Sequence, residues 1–132
     1  MQTGLIQSKW CDFINGQLVS FEGVQPIQMA HSYGSALPLV LSDKFGADVI
    51  RFPAGLGVDM HTHPGAHILM VTKGKGVLVY CGRPYSMFEG MTYLVPPYAP
   101  HAIKAETELV LISIGNDHQP AGSEKRLTVV GR

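Results

Sequence analysis

Residues Gly55–Gly74 read GLGVDMHTHPGAHILMVTKG. Three of the chain's six histidines, His61, His63 and His67, fall within this stretch, and a fourth, His101, ends the loop VPPYAPH. Side chains alternate faces along a β-strand, so His61 and His63 share a face, roughly 6–7 Å apart along the chain. That spacing suits two imidazoles converging on one metal ion. His63-Pro64-Gly65-Ala66 is a good type II turn sequence, with Pro fixing φ at the second position and Gly supplying a positive φ at the third. Such a turn returns His67 on a neighbouring strand, facing the first pair. The alternative is a surface hairpin on which histidines merely cluster, but HxH, a turn and a further His is an uncommon pattern for that.

The stretch resembles the first motif of the cupin superfamily: Gly, five residues, HxH, three or four residues, an acidic residue, six residues, Gly. The match runs through Gly55, His61, His63, His67 in the acidic position, and Gly74. The second cupin motif is matched by Gly90, Pro96 and His101. Three positions depart: His67 replaces the usual Glu, Tyr98 a common Gly, and Ala105 a frequent Asn. The resemblance covers roughly Leu39–Ile114. It implies an all-β fold, a cupin-type double-stranded β-helix (jelly-roll barrel) with an N-terminal arm. It also implies one divalent transition metal ion (Fe, Mn, Ni or Zn) held by His61, His63, His67 and His101. Imidazole suits all of these ions, so ligand type alone does not choose among them. A closed tetrahedral zinc site is the structural alternative.

Working outward, 132 residues suffice for one domain with a core that needs no staples. Ten Lys and Arg balance ten Asp and Glu, without the basic excess of a nucleic-acid binder or an electrostatically held membrane protein. The first residues, MQTGLIQSKWCDF, contain no long apolar run of a signal peptide. No stretch approaches the ~18 apolar residues that span a bilayer. Cys11 and Cys81 form no disulfide framework or metal motif and read as free thiols in a reducing cytoplasm.

Residues 1–34 are expected to form an arm or hairpin turning at Asn15-Gly16, anchored on the barrel by Trp10 and Phe13. Residues 35–132 are expected to form a single cupin barrel. Strands are expected at Leu37–Leu41, Ala47–Phe52, Val58–His63, Ala66–Thr72, Val77–Cys81, Met91–Val95, Leu109–Ile114 and, more briefly, Leu127–Val130. Gly82-Arg83-Pro84 reads as a turn, and Pro96–Pro100 as a stiff loop that delivers His101. Several strands are apolar on both parities, as in Leu109-Val110-Leu111-Ile112. A half-exposed sheet would alternate, so a second surface must meet the outer face, and a homodimer is expected.

Replacing the usual carboxylate by His67 leaves the full charge on a bound cation. Such a site attracts anionic, chelating small molecules, including enolates, 1,3-diketonates and hydroxy acids. It also lacks a ready-made base. Asp59, on His61's parity, and Tyr93, on the strand leading to His101, are the catalytic candidates; Glu108 and Glu89 are weaker ones. Leu69 and Val71 on His67's parity, with Met91 and Val95, are candidate walls. Arg51 is a possible carboxylate anchor or a surface residue, and His31 a solvated loop residue. Three functions fit: a dioxygenase on an enolisable, anionic or diketone-like substrate, a redox-neutral isomerase, cyclase or lyase, or a binding module without turnover.

Overall fold

The apolar runs become strands, and the glycines and prolines between them become turns. The computed structural model describes residues 4–8, 10–14, 17–20, 27–116, 122–123 and 126–130. Trp10–Ile14 (β1) and Gln17–Ser20 (β2) pair as an antiparallel hairpin. Its turn at Asn15-Gly16 and the side chains of Trp10 and Phe13 lie outside the described residues, as does His118. Then come Ile27–Gln28 (β3), Ser35–Ser42 (β4), Phe45–Phe52 (β5), Gly57–Thr62 (β6), His67–Lys73 (β7) and Lys75–Tyr80 (β8). Arg83–Phe88 (β9), Thr92–Val95 (β10), His101–Ala105 (β11), Leu109–Gly115 (β12) and Thr128–Val129 (β13) complete the order.

Strands β10-β7-β12-β5-β4-β3 form one antiparallel sheet and β13-β6-β11-β8-β9 another. The architecture is a jelly-roll sandwich, and the sheets do not close into the expected barrel: among the described residues no edge strand of one sheet pairs with the other. Strand β3, within the segment expected as an arm, is an edge strand of the first sheet. Phe52, Met87, Val95, Leu109 and Leu111 are fully buried between the sheets. Side chains of this size contribute about 1.5–3 kcal/mol each on burial. The apolar runs on both parities have a structural counterpart. Leu109 and Leu111 of β12 face this core, while Val110 packs with Leu37 and Val49 in a second buried cluster.

Two strands escape the pattern reading. Arg83–Phe88 is an exposed edge strand in which only Met87 is buried, so it carries no apolar alternation, and Pro84 is tolerated at the edge. His101–Ala105 is short, with only Ile103 and Ala105 as buried apolar residues beside His101. The hairpin turns Asp43-Lys44 (φ 46° and 68°) and Cys81-Gly82 (φ 48° and 82°) have positive φ at both positions, the signature of type I′. Among the described residues no helix is long and apolar enough to cross a membrane.

The histidine stretch departs from its expected geometry. Residues 63–66 do not join a hairpin; they cross from β6 in the second sheet to β7 in the first. Gly65 is not among the positive-φ residues, so the turn is not type II. Glycine is needed there for another reason: a Cβ would lie 1.9 Å from the Asn116 carbonyl oxygen. The side chain of Asn116 accepts a hydrogen bond from the Ala66 N–H at 2.9 Å, fastening the crossing to the end of β12.

Gly55, Gly74 and Gly90 all have positive φ, at 82°, 88° and 90°, which is the backbone reason for glycine at those motif positions. Tyr98, standing where the motif has glycine, keeps the left-handed conformation at φ 60°. Its side chain is 69% exposed, so the strain is not offset by packing. Tyr98→Gly is expected to raise the unfolding free energy by about 0.5–1 kcal/mol, the relief of a left-handed residue minus the added entropy of the unfolded chain. Urea denaturation checks this; an unchanged or lower stability contradicts it.

Candidate metal centre

Three elements bring histidines together. Strand β6 supplies His61, the crossing that follows supplies His63, and β11 supplies His101, which pairs with His61 across the ladder. All three side chains are buried. One nitrogen of each can be chosen so that the three lie within 4.8 Å of one another, the only such metal-capable group of His, Cys, Asp and Glu among the described residues.

The ring orientations are held by the backbone. Nδ1 of His61 lies 2.8 Å from the Asp59 carbonyl, Nδ1 of His63 2.9 Å from that of Gly65, and Nδ1 of His101 2.8 Å from that of Ala99. A carbonyl only accepts, so each Nδ1 carries the proton and each Nε2 keeps a lone pair. Nε2 of His63 and Nε2 of His101 are 3.2 Å apart. Two lone pairs at that distance repel unless a proton or a cation lies between them.

A bridging proton is disfavoured by the surroundings. Burial, reinforced by the neighbouring His101, lowers His61 to about 3. Burial and His101 likewise lower His63 to about 4, and burial lowers His101. The three imidazoles are therefore neutral near pH 7, the form that binds metals. Three neutral nitrogens with their outer N–H groups bonded to carbonyls are a donor set that fits a divalent first-row ion.

His67 arrives from the other sheet. Its ring stacks on His63, with centroids 4.1 Å apart and planes 20° from parallel, and its Nδ1 lies 3.4 Å from Ser113 Oγ. It lines the same cavity but stands outside the converging set of three. Gly115 leaves it room, since a Cβ there would lie 2.3 Å from the His67 ring.

The cavity has a volume of about 40 Å³, space for an ion and one or a few waters. Its apolar wall comes from Ile50, Phe52, Leu69 and Leu111 of the first sheet and Val58 and Ile103 of the second. Leu69 is thus placed as expected, whereas Val71, Met91 and Val95 belong to the core away from the cavity. Asp59 is exposed and does not line it. The reason is an irregularity in the β6–β11 register: His61 pairs with His101 but Val58 with Ile103, so one extra residue lies on β6. The bulge puts Val58 and His61, three apart, on the cavity side and breaks the parity that would align Asp59. Asp59 contributes its backbone carbonyl instead. Tyr93 is also absent from the cavity, and its hydroxyl donates to the Ser86 carbonyl. Arg51 and Lys73 both pair with Glu108 away from the cavity, and Glu89 and His31 are exposed.

Two cavity residues carry no recognisable signal in the sequence. Ser113 reads as one polar residue in an apolar strand. Arg126 lies in a polar tail, yet it is buried and bonds Asp48 at 2.7 Å. Only the pairing of β13 with β6, Val129 opposite His61, brings it there.

The family model for the cupin domain matches residues 48–115, which spans both histidine clusters. The chain belongs to the cupin family. Among solved structures, an RmlC-like cupin from Shewanella frigidimarina is 20% identical with a TM-score of 0.66, covering 85% of this chain and 95% of that one. A predicted oxalate decarboxylase from Thermotoga maritima is 17% identical, TM-score 0.66, covering 74% and 96%. Salicylate 1,2-dioxygenase from Pseudoaminobacter salicylatoxidans is 22% identical, TM-score 0.63, over 70% of this cupin. The match takes in only 28% of that dioxygenase. No curated protein matches the sequence.

The depressed histidines give the metal-free cupin a defined pH response. Its unfolded chain takes up protons on these imidazoles below the ordinary value of 6.5, while in the folded protein His61 resists until about 3 and His63 until about 4. Stability is therefore full above about pH 6.5 and falls as pH drops toward 4, by on the order of 1.4 kcal/mol per pH unit for each such histidine. Urea unfolding with chelator present at about pH 7.5, 5.5 and 4.5 measures the slope. A flat profile would refute the neutral triad.

Proposed function

We propose that this cupin is a metal-dependent enzyme acting on small molecules, a dioxygenase for an enolisable, anionic or diketone-like substrate. The observation that carries the reading is the convergence of His61, His63 and His101, with each Nδ1 bonded to a carbonyl and two Nε2 lone pairs 3.2 Å apart. One divalent ion on Nε2 of these residues would supply a Lewis-acidic centre where an enolate oxygen and dioxygen can meet, with Fe, Mn or Ni suited to that chemistry. The chain's own part is to orient and to exclude water. Backbone carbonyls hold the protons at Nδ1, and the apolar walls keep the electrostatics strong. No carboxylate lines the cavity among the described residues, so a bound cation would keep its full charge and favour anionic ligands. Likeness to a salicylate 1,2-dioxygenase studied with gentisate is in keeping with this reading. Likeness to a predicted oxalate decarboxylase supports the second reading, redox-neutral chemistry at the same centre.

Untagged protein purified without chelators is expected to carry about one equivalent of Fe, Mn or Ni by elemental mass spectrometry. His63→Ala and His101→Ala should lose most of it. His67, expected from sequence as a fourth ligand, stands outside the group of three, so His67→Ala should retain most of the metal. Equal depletion in His67→Ala would make it a ligand, and no metal even after reconstitution would end the reading. Oxygen uptake with 1,3-diketones and small hydroxy acids then tests the activity. Product formation that is unchanged without oxygen would replace the dioxygenase by an isomerase, cyclase or lyase.

The same reading places the enzyme in the cytoplasm as a homodimer. The thiol of Cys81 is free and exposed, and Ile68 and Leu94, neighbours on the first sheet, are large apolar residues left partly or largely open. Light scattering is expected to give twice the 14.3 kDa mass of the chain, and a single-chain mass would rule the dimer out.

A further inference from the structure

Arg126 and Leu127, just before the edge strand β13 of the second sheet, line the cavity. Arg126 is 6% exposed and bonds Asp48 on β5 of the opposite sheet. Burying such a pair is seldom a net source of stability, because desolvation of both charges offsets their attraction. Its placement has a direction. Asp48 is not part of the cavity lining, whereas Arg126 is, so of the pair it is the cation that the histidine-lined cavity meets.

The rest of the lining sharpens this. Apart from the four histidines, Ser113 and Arg126 are its only residues with hydrogen-bonding side chains among the described residues, and Ser113 lies against His67. A polar end of a ligand that does not meet the histidine centre can meet Arg126 or Ser113 there. Of these two, only Arg126 carries a fixed charge. Its planar fork of five N–H donors matches a carboxylate, and its partner Asp48 limits how far the side chain can swing.

We propose that Arg126, positioned by Asp48, is the anion-recognition residue of this cavity, and that the ligand is a small carboxylate held between Arg126 and the histidine cluster. The proposal deepens the reading of the site as an enzyme centre and rests on it for the role of the histidines. The cavity's volume of about 40 Å³ directs the test to the smallest hydroxy acids.

Glycolate and its neutral isostere glycolamide separate charge recognition from shape. Their binding is measured by calorimetry on zinc-loaded and metal-free protein, wild type and the charge-free pair Asp48→Asn/Arg126→Gln. Wild type is expected to prefer glycolate in both forms. The double variant should lose about tenfold in glycolate affinity, with glycolamide changed less than about twofold. Zinc content per chain should be unaltered. Arg126→Lys keeps a charge opposite Asp48 but not the fork, and should lie between; it carries the test if the double variant does not fold. No glycolate binding by wild type, equal binding by the variants, or equal loss of both ligands overturns the proposal. Failure to load zinc would instead strike the metal reading, and the metal-free arm would still decide Arg126.

Discussion

Two imidazole nitrogens, each obliged to present a lone pair to the other at 3.2 Å, are the constraint around which this cavity is arranged. The obligation comes from the far side of each ring, where a backbone carbonyl accepts from Nδ1. Those carbonyls belong to Gly65 and Ala99, each two residues from the histidine it serves. The repulsion is thus written into local backbone geometry and cannot relax by exchanging tautomers without breaking a buried hydrogen bond. Burial removes the other escape, protonation, by penalising the charged form. What is left is a set of donors whose mutual repulsion a cation would relieve.

Holding that arrangement requires both sheets. The crossing at residues 63–66 is pinned where Gly65 runs against the Asn116 backbone, and Tyr98 donates its N–H to the His63 carbonyl. The bulge in β6 turns His61 inward beside Val58, and β11 sets His101 opposite it. Apart from the Asn116 side chain that accepts from Ala66, these anchors are backbone or glycine contacts, so the geometry depends little on long flexible side chains. A centre of this kind is pre-organised: the entropy of gathering its donors is lost on folding, before any ligand arrives.

What was legible in the sequence divides along the same physical line. The HxH spacing, the glycines at positions 55, 74 and 90, and His101 after three prolines are local patterns, and they point to the family and to the three converging histidines. Asp59 misled because parity assumes an unbroken ladder, and a bulge is a tertiary adjustment that no period-two pattern reveals. Gly65 was rightly a glycine for the wrong reason: the constraint is a neighbour more than fifty residues away in the chain, not its own φ. Tyr93 has a partner, as a partly buried phenol should, but the partner is the Ser86 carbonyl on a neighbouring segment. Arg126 and Asp48 were illegible because each is ordinary alone and acquires meaning only when the tail crosses from one sheet to face the other.

The substitution of His67 for the usual carboxylate connects these observations. A carboxylate in that position would offset one unit of the charge on a bound cation and would repel an anion entering beside it. An imidazole stacked on His63 does neither. Asp48, on the cavity parity of β5 with Ile50 and Phe52, is paired with Arg126 and lies outside the lining. Negative charge has thus been kept off the walls at two separate places, by a residue change in one and by an ion pair in the other. In a small apolar cavity the field from any remaining charge is weakly screened. Both arrangements bias the cavity the same way, toward a compact anion.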